Sequence, residues 1–221
     1  MSGDEQPYVY KEVDRPLYEP GDTRILEQEL RNLHLLRHSR AVVQLIAAVV
    51  SPNPYHTAET DEDGNPAVLR GLLLEYHPNG TLQDALRTPE PEAGRPWQRW
   101  ALQIASGLDE LHCRQLTHMD LKPSNIVISA DDDAVLIDIS GRAISQEWLS
   151  PEMRGIFCPW SLDLGPRIQN DVWAFGKILS HMACVSRKDM EKQLLERVAS
   201  YAMEQFPHRI SLDRAISMLS E

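Results

Sequence analysis

The 221-residue sequence is 42% hydrophobic and 25% charged, which excludes disordered and fibrous classes and suits one domain or two small lobes around a core. Its formal net charge of −11 argues against nucleic acid and anionic membrane surfaces as partners. No run approaches the roughly 18 apolar residues of a transmembrane helix, and the polar start Met1 to Pro7 has no signal-peptide character, so an intracellular, cytoplasmic protein is expected. Three widely spaced cysteines, Cys113, Cys158 and Cys184, offer neither a disulfide framework nor a zinc site and are expected to be reduced and mostly buried.

In chain order, Tyr8 to Val13 alternates as a strand that places Val9, Lys11 and Val13 on one face. A helix capped by Asp22 or Thr23 runs to about Arg37, with Ile25, Leu26, Leu33 and Leu36 as its apolar stripe. Glu29 lies on that stripe, so a carboxylate and the Lys11 ammonium both face inward and are expected to pair. Val42–Val50 and Val68–Tyr76 read as strands joined by a solvated loop, Ser51 to Ala67, whose acidic stretch Glu59 to Asp63 could meet a basic partner.

His77-Pro78-Asn79-Gly80 forms a turn, and Thr81 caps a short helix ending near Arg87. After a loop from Thr88 to Pro96, the residues Trp97, Trp100, Ala101, Ile104, Ala105, Leu108 and Leu111 trace a helix of period 3.6. Ile126 to Ile128 and Ala134 to Ile137 form a hairpin around Asp131 to Asp133. Asp171 to Ala183 is apolar on most sides and predicts a buried central helix, followed by amphipathic helices at Met190–Met203 and Ser211–Leu219.

The loop His118-Met119-Asp120-Leu121-Lys122-Pro123-Ser124-Asn125 gathers a carboxylate, an ammonium and a carboxamide. Phosphoryl transfer uses each: a carboxylate orients an attacking hydroxyl and takes its proton, a lysine neutralises the transferred group, and an amide oxygen suits magnesium. Asp138 ends an apolar strand 13 residues after Asn125, where a metal-holding carboxylate would belong.

On these residues the sequence resembles eukaryotic-type protein kinases. The catalytic-loop pattern His-Arg-Asp-Leu-x-x-x-Asn is present with Met119 in place of arginine. Asp138-Ile139-Ser140 stands where Asp-Phe-Gly is expected, Ser150-Pro151-Glu152 resembles Ala-Pro-Glu, and Arg209 matches the late arginine that pairs with that glutamate. The resemblance implies that Asp120 is the catalytic base, that Lys122 contacts the γ-phosphate as in Ser/Thr-directed members, and that Asn125 and Asp138 bind magnesium. Lys11 and Glu29 match the third-strand lysine and its helix partner. Leu74 is then the gatekeeper, and Glu75, Tyr76 and His77 the hinge that meets adenine. His118 is expected to be a packed internal histidine, and Asp171 an anchor for the catalytic-loop backbone.

The implied fold is α+β: a two-lobed kinase-like domain with a truncated N-lobe at 1–76 and a reduced, mainly helical C-lobe at 77–221. A Gly-rich loop and two strands would precede Lys11 and are not in this sequence, which leaves a reduced fold or a shortened chain and predicts weaker nucleotide binding. Without an arginine at 119, and with only 14 steps from Asp138 to Glu152, regulation by phosphorylation of that segment is not expected. The functional expectation is a minimal Ser/Thr-type protein kinase using ATP and Mg2+, with a protein substrate or regulatory protein partner and with neither nucleic acid nor membrane. A pseudokinase acting as a nucleotide- or partner-binding scaffold is the alternative. A small-molecule kinase of the aminoglycoside or choline type is the third reading, opposed by Lys122, Ser150-Pro151-Glu152 and Arg209.

Overall fold

The structure, a computed structural model, describes residues 7–12, 20–52, 67–89, 91 and 94–221. Its contacts divide the chain into two compact units, one from the residues up to His38 with Val43–Tyr76, the other from Ser39–Val42 and His77–Glu221. A single boundary after residue 76 does not express the assignment of Ser39–Val42 to the second unit.

The first unit holds an antiparallel sheet of three strands, β1 (Tyr8–Glu12), β2 (Leu45–Pro52) and β3 (Ala67–Glu75), in the order β1-β3-β2. Lys11 stands opposite Leu72 and Glu12 opposite Gly71. At Gly71 a Cβ would come within 2.4 Å of the Tyr10 ring and 2.6 Å of the Lys11 carbonyl, so glycine is what lets β1 approach β3 here. Helix α1 (Pro20–Leu35) turns Leu26, Glu29 and Leu33 inward, and Leu36 follows just beyond its end. Ile25 is 40% exposed and leaves the stripe expected for it, because the buried set advances by three and four residues from Leu26. The capping side chains Asp22 and Thr23, the strand end at Val13 and the acidic loop with Glu59 to Asp63 lie outside the described residues.

Strand β2 begins at Leu45, three residues later than its apolar run suggests. Val42 bridges instead to Leu136 of the second unit, and the Leu136 amide donates to the Ala41 carbonyl at 2.8 Å. The apolar run Ala41–Val50 is thus divided between two sets of partners.

The second unit is mainly helical. Thr81 closes a capping box with Asp84 at the start of α2 (Leu82–Arg87), and α3 (Trp97–Cys113) buries the seven residues that its periodicity singles out. The hairpin of β4 (Ile126–Ile128) and β5 (Ala134–Leu136) lies along α3. Its acidic tip is fixed there: Asp133 accepts from Arg99 and Gln103, and the Trp100 indole donates to the Asp132 carbonyl at 2.8 Å.

Helix α4 (Leu164–Val185) starts two turns before the expected Asp171, because Gly165 and Pro166, which look like breakers, occupy its first turn where no amide donor is needed. Gly176 lets α5 (Asp189–Ala202) approach closely, since a Cβ there would lie 2.8 Å from both Ala202 Cβ and Met203 Cγ. Helix α6 (Leu212–Leu219) completes the unit against α3 and α5. Cys113 and Cys184 are exposed and Cys158 half-buried, contrary to the expectation of mostly buried thiols, because the first ends α3 and the second lies on the outer side of α4. Among the described residues no helix is long and apolar enough to cross a membrane.

Candidate active site

The catalytic-loop residues come together around the Asp120 carboxylate. Lys122 Nζ donates to Asp120 Oδ2 at 2.6 Å, and Asn125 Nδ2 donates to the same oxygen at 3.1 Å and to the Asp120 carbonyl at 2.9 Å. The other oxygen, Oδ1, is buried and accepts no hydrogen bond from the described residues. One half of the carboxylate is therefore fixed and the other is left as an acceptor.

Two features hold this loop in place. Asp171, on the buried side of α4, accepts from the amides of His118 at 2.8 Å and Met119 at 2.9 Å, and bonds His112 Nε2 at 3.0 Å. These bonds secure the left-handed conformation of Met119 (φ 65°), which a side chain adopts only when its surroundings impose it. The 3-10 turn Pro123–Asn125 then leads into β4, so Asn125 ends the loop where the strand begins.

Asp138 follows β5 and is also left-handed, at φ 59°. The amide of its neighbour Ile137 donates to the Asn125 carbonyl at 3.1 Å, which brings the backbones carrying the two metal-ligand candidates side by side. Because the Asn125 amide nitrogen is committed to Asp120, its side-chain oxygen is what remains to face a ligand. An amide oxygen beside a carboxylate is a hard donor set that fits Mg2+.

The segment after Asp138 is tied back to the loop. Ser145 Oγ accepts from Lys122 Nζ at 2.8 Å, a contact that sequence reasoning missed because nothing near Ser145 points 23 residues back. Met119 is 1% exposed and forms an apolar cluster with Leu149 and Met153, flanked by Ile144 and Leu162. Glu152 is bound by Arg209, whose Nη1 lies 2.6 Å from Oε1 and also donates to the Gln169 carbonyl at 2.9 Å. His118 is fully buried, and neither ring nitrogen has a partner among the described residues.

In the first unit, Lys11 Nζ donates to both Glu29 oxygens, at 2.8 and 2.6 Å. The burial is one-sided, since Glu29 is 1% and Lys11 31% exposed. The face carrying Val9 and Lys11 is more open than its alternation suggests, and it is the carboxylate that sits inside. Leu74 is buried on β3, paired with Val9 and Leu45. Glu75 exchanges bonds with Gln44, its amide donating to the Gln44 carbonyl at 3.1 Å and its Oε1 accepting from the Gln44 amide at 2.9 Å. Tyr76 is exposed, and half-buried His77 opens the second unit.

Comparison with known proteins decides what this arrangement belongs to. A model of the protein kinase domain matches residues 1–215. The chain belongs to the protein kinase domain family. Among curated relatives of this kinase-family chain, mitogen-activated protein kinase kinase kinase 17 of Arabidopsis thaliana is 27% identical over 168 residues, covering 72% of this chain and 44% of the relative. The serine/threonine-protein kinase-transforming protein mos of Moloney murine sarcoma virus (strain ts110) is 33% identical over 117 residues, covering 48% and 30%. Mitogen-activated protein kinase kinase kinase 12 of Rattus norvegicus is 28% identical over 116 residues, covering 49% and 13%. The matched region is less than half the length of each of these relatives.

Proposed function

We propose that the chain transfers the γ-phosphoryl group of ATP to serine and threonine hydroxyls of proteins, with Mg2+. The observation that carries this reading is the divided Asp120 carboxylate, with Oδ2 held by Lys122 and Asn125 and Oδ1 without a hydrogen-bond partner among the described residues. A hydroxyl donating to the Asp120 carboxylate would be oriented for attack, and its proton would pass to that carboxylate as the bond from oxygen to the γ-phosphorus forms and the β–γ bridging bond breaks, releasing ADP. Lys122, already beside Asp120, offers its charge to the oxygens of the moving group. Asn125 and Asp138 would hold Mg2+, which when bound neutralises phosphate charge. In keeping with the resemblance, Lys11, oriented by Glu29, would meet the ATP phosphates, Leu74 would line the adenine site, and the backbone from Glu75 to His77 would meet adenine.

Thermal unfolding with ATP, with and without Mg2+, tests the nucleotide site, since saturation at 100 times Kd adds about 2.7 kcal/mol. A Mg2+-dependent shift that is lost in Asp138→Asn is expected. Transfer of labelled phosphate to a serine-containing protein should be reduced about a thousandfold or more in Asp120→Asn, because the carboxylate base becomes an amide. Binding of ATP with no transfer by the unaltered chain would overturn the catalytic reading in favour of a nucleotide-binding scaffold.

A further inference from the structure

Beside the catalytic loop the second unit opens into a cleft of about 480 Å³. Leu86 and Arg87 at the end of α2, Lys122, Ser145, Trp148 and His181 of α4 contribute to its walls. Lys122 belongs both to this cleft and to the Asp120 cluster, so a chain lying in the cleft passes next to the catalytic loop.

Most charges around the cleft are already matched. Lys122 is paired with Asp120, and Glu147 at the rim is paired with Lys177, whose ammonium also sits 4.4 Å above the Trp148 ring. The His181 ring meets the edge of Trp148, with centroids 5.5 Å apart. Burial and then the Lys177 charge lower its pKa from the ordinary histidine value, which disfavours its cation. Asp84, three residues before Arg87, uses its carboxylate to accept from the Thr81 amide and hydroxyl. Arg87 is exposed and, among the described residues, makes no hydrogen bond or close ion pair; its charge acts on Asp84, where it is the weakest of the influences on that carboxylate, behind the bonds from Thr81. Among the described residues the cleft therefore presents one guanidinium whose hydrogen-bond donors are unused, on a protein whose overall charge is −11.

We infer that Arg87 selects the acceptor: the cleft takes serine or threonine segments that carry a glutamate, aspartate or phosphorylated side chain near the acceptor hydroxyl, and disfavours lysine- or arginine-rich ones. A guanidinium fork matches carboxylate and phosphate oxygens bidentately, whereas a basic segment would bring like charge to Arg87. Leu86 and the Trp148 ring supply an apolar wall for the same segment. This inference rests on the kinase reading for the meaning of the acceptor, but binding tests it without turnover.

The probes are fluorescein-labelled peptides with a central serine in an alanine background, flanked on either side by glutamates, glutamines or lysines. Fluorescence anisotropy with the full chain should show the glutamate peptide binding about three- to tenfold tighter than the glutamine peptide at low salt, with the difference shrinking as salt is added. Arg87→Ala should abolish the preference and Arg87→Glu should reverse it toward lysine, with the thermal midpoint of each variant confirming the fold. Equal binding of the three peptides, no binding of the glutamate peptide, or a preference that survives Arg87→Ala would overturn the inference. Charge-selective binding lost in Arg87→Ala, but without phosphate transfer, would support the inference while overturning the catalytic reading.

Discussion

Removing Glu152 should destabilise the second unit more than removing its partner. The Arg209 side chain is 1% exposed and Glu152 40% exposed, so the two ends of the 2.6 Å bond differ in what they fall back on. In Glu152→Ala a buried guanidinium keeps the Gln169 carbonyl at 2.9 Å but loses its counter-charge, and Nε is already without a partner. Breaking a fully buried pair costs about 3–5 kcal/mol; the surviving carbonyl bond and the water that can replace a half-exposed carboxylate reduce this to about 2–3 kcal/mol. In Arg209→Met the cation is gone, the aliphatic volume is largely kept and Glu152 returns to water, at about 1 kcal/mol. All five tryptophans lie in the second unit, so urea unfolding followed by tryptophan fluorescence reports on the unit concerned. If Arg209→Met proved as costly as Glu152→Ala, or if neither moved the midpoint, the asymmetry argued from burial would be refuted.

The same pair sets a pH dependence. Burial pushes the Glu152 carboxyl up, but the bond from Arg209, a backbone bond and the guanidinium charge together outweigh it and hold the group below its ordinary value of 4.5. The unfolded chain therefore takes up this proton first on acidification. The stabilisation is fully present well above pH 4.5 and is lost as pH falls through the depressed folded value. The stability gap between the unaltered chain and Glu152→Gln should accordingly be constant near neutrality and close progressively at acid pH.

Met119→Ala should lower the stability of the second unit by about 2–4 kcal/mol, through the cavity it leaves among Leu149 and Met153, and an unchanged urea midpoint would remove that cluster from the account. Asp171→Asn should cost about 2–3 kcal/mol, because an amide cannot accept from both the His118 and Met119 amides without turning its own NH2 toward one of them. Faster hydrogen exchange at residues 118 and 119 would accompany that loss, and unchanged exchange would refute the anchoring role. In the first unit, Lys11→Met should destabilise more than Glu29→Gln, the difference being about 1 kcal/mol, since the carboxylate is the buried member. Hydrogen exchange of β3 amides would show the order.

Much of the site was legible because its parts are local or periodic. The order of groups from His118 to Asn125 fits within one loop, and Lys11 and Glu29 could be paired because strand and helix periods each predict an inward face, although only Glu29 is fully buried. Long-range partners of ordinary residues were not legible. Arg87, Ser145, Trp148 and His181 meet in one cleft from segments with no shared pattern. The first turns of α4 were hidden because Gly165 and Pro166 oppose a helix everywhere except at its start. Val42 looked like strand because burial against β5 and burial in the sheet leave the same apolar signature.

Met119 shows most clearly how a substitution can be read in two ways. From the sequence it is the loss of an arginine, and hence of a phosphate reader. In the structure it is a gain, because the side chain is the centre of the cluster under Leu149 and Met153, while Lys122 holds Ser145 and Arg209 holds Glu152. The segment between Asp138 and Glu152 is thus secured at its middle and at its far end by a hydroxyl bond, dispersion and an ion pair, none of which needs a modification to form. A phosphate read by arginine can be removed, whereas an apolar cluster of this kind is undone only by local unfolding. Restoring arginine at 119 would therefore not restore regulation: it would bury an unpaired guanidinium among methionine and leucine side chains, and the expected result is a segment that loosens rather than one that waits for a phosphate.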